Sequence, residues 1–120
     1  MAAAGYLEKR IDPRAEIQEK AKYKLLGEEQ SSMNFEYEEA QTKNISIGGV
    51  CMVLPHKISE GNVIRVEIPI ESAQQPIKAF CEVQWCKPSE KEKYEVGLSF
   101  IALKEEDAEL LSTFVKNRAM

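Results

Sequence analysis

Asn44-Ile45-Ser46-Ile47-Gly48-Gly49 runs straight into Val50-Cys51-Met52-Val53-Leu54, and Pro55 stops the run. A short apolar run bounded by turn residues reads as a buried strand. The Asn, Ser and Gly residues ahead of it read as the turn that feeds that strand. The same residues set an amide, a hydroxyl and bare backbone N–H groups on one short surface. A plain turn explains them by local backbone chemistry alone. A ledge that accepts a ligand is the lesser reading when the motif is taken alone, with Gly49 allowing close approach for want of a Cβ and Gly48 serving either the ligand or the turn.

Working outward, the pattern is mostly that of strands. Upstream, Ala15, Ile17, Ala21, Tyr23 and Leu25 alternate with Glu16, Gln18, Lys20, Lys22 and Lys24, a half-buried strand with one wet face. Residues 27–34 form a polar turn, and a second strand runs from Phe35 to about Ile45, with Phe35 and Tyr37 on one face. Downstream, Ser59-Glu60-Gly61-Asn62 is a turn, and Val63 to Ile70 alternates again, with Pro69 placing its end at an edge or bend. Ile77 to Cys86 puts Ala79, Cys81, Val83 and Trp85 on a common face. A charged loop, Lys87 to Lys93, leads to Tyr94, Val96, Leu98 and Phe100 as the inward row of a last strand.

The period then changes. Leu103, Leu110, Leu111, Phe114 and Val115 make a helical stripe, so a helix is expected over 103–118. Glu105, Glu106 and Asp107 in its first turn, and Lys116 and Arg118 in its last, match the helix dipole. Six strands joined by short turns and followed by one helix predict a mainly β fold: a six-stranded antiparallel β-barrel capped or plugged by a C-terminal α-helix. Residues 1–8 are expected to be a flexible N-terminal leader, and 9–118 a single domain.

Composition narrows function by exclusion. The 120 residues suit one domain, which buries enough surface for a single core. A net charge of -4 and a pI near 5.2 argue against a generic binder of nucleic acid or membrane, yet leave room for a small anion held by a few local cations. No apolar run approaches the roughly 20 residues of a bilayer span, and the N-terminal stretch lacks the features of a secretory signal, so a cytoplasmic location without membrane insertion is expected. Cys51, Cys81 and Cys86 show no Cys-x-x-Cys spacing, and the single His56 is remote from them, so reduced thiols are expected rather than zinc ligands or disulfides. No nucleophile–base pair is visible, and Gly-x-Ser-x-Gly is absent, which points away from catalysis. His56 reads as a surface residue, Glu36, Glu38 and Glu39 as a solvated strand edge, and Trp85 as core or rim, with a stacking role the lesser reading.

The remaining charged feature is Arg10-Ile11-Asp12-Pro13-Arg14, preceded by Lys9. Taken alone, the pair reads first as solvated arginines partnered by Asp12 or Glu8. Pro13 disfavours a helix here, so in a bent loop the two guanidinium forks can instead converge on one ligand. A guanidinium pairs bidentately with phosphate, matches O6 and N7 of guanine, and stacks on flat aromatic faces. Guanine nucleotides present all three targets.

Arg10-x-x-x-Arg14 followed by Asn44-x-Ser46-x-x-Gly49 resembles the signature of the PilZ domain, a bacterial receptor family for the second messenger cyclic di-GMP. Val83-Gln84-Trp85 and Tyr94-x-x-Gly97-Leu98-x-Phe100 look like the family's later strands, and the resemblance spans roughly residues 9 to 118. Asn44 stands where Asp is commoner, which keeps the acceptor but removes a charge. The resemblance implies a split-barrel fold and a non-catalytic cyclic di-GMP receptor without cofactor or metal. It implies that Arg10 and Arg14 clamp guanine and phosphate, that Asn44, Ser46 and Gly49 form the opposing wall, and that Lys9 adds a phosphate contact. One bound molecule and an intercalated pair both remain open. Ligand binding is expected to order the arginine loop against the barrel and alter contact with a separate effector protein, the chain itself being a monomer or weak homodimer. A ligand-free adaptor of the same fold and a small nucleic-acid-binding barrel are the competing readings.

Overall fold

The computed structural model describes residues 14–17, 19–26, 37–70 and 73–118. The expected leader, Lys9, Arg10, the turn at 27–34 and Phe35 lie outside them. Seven strands form one antiparallel sheet: β1 (Arg14–Glu16), β2 (Lys20–Leu25), β3 (Glu38–Ser46), β4 (Gly49–Leu54), β5 (Val63–Ile68), β6 (Ile77–Pro88) and β7 (Tyr94–Leu103). The order is β1-β3-β2-β5-β6-β7-β4, and β4 pairs again with β3. That second pairing closes β2 to β7 into a six-stranded barrel. A barrel this narrow is filled by its own side chains. Ile64, Val66 and Ile68 of β5, Ile77, Ala79, Cys81 and Val83 of β6, and Val50, Met52 and Leu54 of β4 all point into one buried core.

The expected single strand over 15–25 is divided. β1 and β2 lie end to end along the same edge of β3, pairing up to Glu16 opposite Asn44 and again from Lys20 opposite Gln41. Ile17 N donates to Lys43 O at 3.1 Å and Thr42 N to Glu19 O at 3.1 Å. The buried Thr42 hydroxyl donates to Glu19 O at 2.6 Å. The break therefore leaves few backbone groups unpaired, and Ala15, Ile17, Ala21 and Tyr23 keep the expected inward phase.

Two further irregularities decide which side chains face out. On β3, Thr42 pairs with Met52 and Asn44 with Cys51, so Lys43 is an extra residue. Ala40 and Thr42 point inward before it, and Ile45 after it. Strict alternation would have carried Asn44 and Ser46 inward; the bulge turns both outward. On β6, Val83 pairs with Leu98 and Trp85 with Gly97, leaving Gln84 extra. The expected inward face of Ala79, Cys81, Val83 and Trp85 thus holds only as far as Val83. Trp85 is 40% exposed, and Cys86 turns toward the core in its place.

The helix α1 spans Glu105–Arg118. It begins two residues later than the periodicity suggested, because Leu103 still pairs with Ala79 as the last residue of β7. Leu111, Phe114 and Val115 are buried, each worth about 1.5–3 kcal/mol of burial. Leu110, expected in the same stripe, is exposed. α1 packs against β1, β3 and β6, and Lys78 N of β6 donates to Asp107 Oδ2 at 3.2 Å in its first turn. His56 is exposed, as expected. Among the described residues no helix is long and apolar enough to cross a membrane, and no cluster of His, Cys, Asp and Glu is arranged to hold a metal ion.

Candidate functional site

The outer faces of β1, β3, β4, β7 and the far end of β6 form a shallow cleft of about 770 Å³. The two bulges build it. The one at Lys43 supplies Asn44 and Ser46, and the one at Gln84 supplies Trp85. Arg14 enters from β1. Its register opposite Ser46, with Asn44 opposite Glu16, makes Arg14 and Asn44 diagonal neighbours across the β1–β3 ladder. Arg14 Nε donates to Asn44 Oδ1 at 2.8 Å. That bond uses one of the five guanidinium N–H groups and leaves both terminal nitrogens for an outside partner. The sequence placed Arg14 in an irregular loop; it is the first residue of a strand.

The turn between β3 and β4 is held by the residues that mark it. Gly48 N donates to Ser46 Oγ at 3.2 Å, and Phe100 N donates to Gly48 O at 3.0 Å. Ser46 is only 2% exposed. Its hydroxyl accepts that turn bond and keeps its own O–H to donate. Gly49 answers to β7: a Cβ there would stand 2.0 Å from Leu98 O and 3.1 Å from Leu98 C. β4 can pair this closely with β7 only because residue 49 has no side chain.

Gly97 has a similar constraint with a different neighbour. A Cβ on it would meet Cε2 and Nε1 of Trp85, each at 2.3 Å. The indole therefore lies flat on the backbone of β7 as an exposed wall of the cleft. Beside it Gln84 Nε2 donates to Ser99 Oγ at 2.9 Å, and Lys87 Nζ stands 5.4 Å from the ring centroid, within cation–π range.

Charge on this face is mainly positive, against the -4 of the whole chain. Among the described residues, Arg14, Lys43 and Lys87 line the cleft with a single carboxylate, Glu95. Lys43 Nζ donates to Glu95 Oε2 at 2.6 Å, and Lys87 Nζ lies 3.9 Å from Oε1. The hydrogen bond from Lys43 holds the Glu95 carboxyl below the usual carboxylate range and raises the Lys43 ammonium above its own. Cys51 forms part of the floor. Burial, reinforced by Glu95, pushes its thiol up, so it is a neutral floor residue and no thiolate nucleophile.

The barrel topology, the outward Asn44-x-Ser46-x-x-Gly49 ledge and the arginine beside it now coincide with a sequence match: the PilZ domain family matches residues 8–117. The chain belongs to the PilZ family. PilZ proteins of known structure share the fold at low identity. The Bacillus subtilis Inhibitor of motility (MotI/DgrA) is 19% identical, with a TM-score of 0.68, over 90% of this chain and 50% of that one. The Borreliella burgdorferi PlzA protein, solved in complex with c-di-GMP, is 16% identical with a TM-score of 0.61, over 95% of this chain and 45% of its own. The PilZ domain of YcgR from Escherichia coli, solved with c-di-GMP, is 12% identical with a TM-score of 0.63, over 92% and 91%. The chain thus spans about half the length of the first two. No curated protein matches the sequence.

Of the PilZ residues expected to form a site, Arg14, Asn44, Ser46, Gly48 and Gly49 line one cleft. Arg10 and Lys9 lie outside the described residues. Sequence reasoning did not bring Gln84, Ser99 and Lys87 to this cleft, and held a stacking role for Trp85 only as the lesser reading. The available signal for Trp85 was Gly97, whose pairing across the hairpin leaves room for one large ring.

Proposed function

We propose that the chain is a non-catalytic cyclic di-GMP receptor, and that the ligand occupies the cleft between Arg14 and Trp85. The observation that carries this reading is the 2.8 Å bond from Arg14 to Asn44, which aims a guanidinium fork along the rim of the Ser46–Gly49 turn. In this reading the free end of Arg14 takes a phosphate or the Hoogsteen edge of a guanine, and Arg10 supplies a second fork with Lys9 adding a phosphate contact. Asn44 keeps its amide N–H₂ as donor while its oxygen holds Arg14, Ser46 donates its hydroxyl, and the Gly48–Gly49 backbone admits the ligand closely. The Trp85 face offers a stacking surface for a base. The reading is supported by membership of the PilZ family and by the c-di-GMP complexes of two structural relatives.

Since Arg14 is already strand-bound, the segment that closes on the ligand is the one before it, carrying Arg10. Closure of that segment alters the surface offered to an effector protein in the bacterial cytoplasm, the chain acting as a monomer or weak homodimer. Calorimetric titration with cyclic di-GMP, with GTP and cyclic di-AMP as controls, tests the assignment. The expected result is saturable heat with cyclic di-GMP alone, lost in Arg10→Ala and Arg14→Ala variants that remain folded. No heat and no thermal shift would replace it with a ligand-free protein-interaction adaptor.

A further inference from the structure

A second surface lies toward the opposite end of β6 and β7 from the cleft. The register of β2, β5, β6 and β7 places Lys24, Arg65, Phe80 and Ala102 in one cross-sheet row, and Lys22, Glu67 and Lys78 in the next. Phe80 is 40% exposed, and Arg65 stacks on it, its guanidinium carbon 5.6 Å from the ring centroid. Beside Phe80 the β7 strand carries its own bulge: Phe80 pairs with Ala102 and Cys81 with Phe100, so Ile101 is extra and is 53% exposed. Past Phe80 and Ala102 runs a groove of about 390 Å³ whose lining, among the described residues, holds Arg65, Lys78 and Lys104 and no carboxylate, the Asp107 carboxyl bonded to Lys78 N lying outside that lining.

We infer that this groove docks an acidic segment of a partner protein, an apolar side chain of the segment seating against Phe80 and Ala102 and its carboxylates meeting Arg65, Lys78 and Lys104. The inference stands apart from ligand binding in the cleft. Three observations select this occupant. A large aromatic ring held half exposed by a stacked arginine is the kind of anchor that carries interface energy. The cations flank that anchor in a molecule otherwise acidic, with a pI near 5.2, so the local field attracts carboxylates. A phosphate polymer or an anionic bilayer would meet the acidic remainder of the surface, whereas a short acidic segment touches only the groove. The acidic positions of the second row, Glu67 between Lys22 and Lys78 and Glu39 beyond Lys22, do not line the groove.

The test uses the full chain and a fluorescein-labelled peptide in which two leucines are flanked by glutamates, read by fluorescence anisotropy. Saturable binding is expected. Phe80→Ser should weaken it at least about tenfold, and Lys78→Gln combined with Lys104→Gln about fivefold, with a shallower salt dependence. All three positions are on the surface, and unchanged melting temperature together with unchanged cyclic di-GMP titration shows that barrel and cleft are intact. A counterpart peptide with lysines in place of the glutamates should not bind. The inference is overturned by absence of saturable binding, by equal binding in the variants, or by tighter binding of a single-stranded oligonucleotide or a phosphatidylglycerol vesicle through the same residues.

Discussion

The Trp85 indole lies directly on Gly97, at a separation that leaves no room for a methyl group on residue 97. The wall of the cleft is thus set by a missing side chain on the neighbouring strand. Gly97→Ala would force the ring, which is exposed and can rotate, out of its place. The barrel should survive with a stability loss of about 1 kcal/mol, while cyclic di-GMP affinity falls about tenfold as the stacking face is lost. Trp85 emission, shifted to longer wavelength in the free protein, reports the displacement. Unchanged emission and affinity together would remove Trp85 from the site.

Gly49→Ala should behave in the opposite way. The obstacle there is Leu98 O, a backbone atom fixed in the β4–β7 ladder, so one strand must move. A loss of about 3 kcal/mol or more is expected, measured as a lower urea midpoint. Weak ligand binding by this variant would then reflect an unfolded fraction, and a variant of full stability would show that the strand contact is not the reason for glycine.

Arg14 tests geometry rather than charge. Its Nε is committed to Asn44, and only a fork can hold that bond and still present two terminal nitrogens. Arg14→Ala and Arg14→Lys should therefore both weaken cyclic di-GMP binding about tenfold, with melting temperature nearly unchanged because the side chain is exposed. Recovery of affinity in the lysine variant would reduce its role to a simple positive charge.

Among the described residues Glu95 is the one carboxylate lining the cleft, and it occupies Lys43. Glu95→Gln removes repulsion toward an anionic ligand and releases the ammonium. An affinity gain of about threefold at low salt is expected, vanishing near about 1 M salt. Lys43 holds the wild-type carboxyl ionised to below the usual range, so wild-type affinity should be flat through neutral pH and rise only in acid. Titrations across a pH series check both statements.

Cys81 makes the core sensitive to alkali. Burial pushes its thiol from 9.0 up to about 12, and the side chain is fully enclosed. The unfolded chain releases this proton first, so the contribution is complete below pH 9 and is lost as pH rises from there toward about 12. Stability should fall by about 1 kcal/mol by about pH 10. Tyr23, also raised by burial and by its bond to Glu38, adds to the decline at higher pH. Urea unfolding of Cys81→Ala should show a shallower slope over that range. An identical slope would place the alkaline sensitivity elsewhere.

Much of this was legible in the sequence, for a simple reason. Where strands are regular, period two assigns faces, and Ile64, Val66 and Ile68 or Val96 and Leu98 went inward as their spacing said. The Asn44, Ser46, Gly48 and Gly49 cluster was visible because turn chemistry and ligand chemistry use the same residue types. Arg14 was misplaced because Pro13 argued for a loop, whereas β1 is fixed by pairing with β3, a contact thirty residues away. Trp85 was misread because a bulge reverses phase within one residue, and nothing in the Val83-Gln84-Trp85 stretch itself announces it. The reason for Gly49 was also hidden: the atom that demands it belongs to Leu98, on a strand far along the chain.

β1 is a strap of three residues, and its middle member, Ala15, is buried in the core while Arg14 reaches out to the cleft. α1 rests on that strap as well as on β3 and β6. Any pull on the guanidinium is thereby passed through a single peptide unit to the underside of the helix. The helix thus leans on the strand that carries Arg14, and a load applied to that side chain would bear on the helix through Ala15.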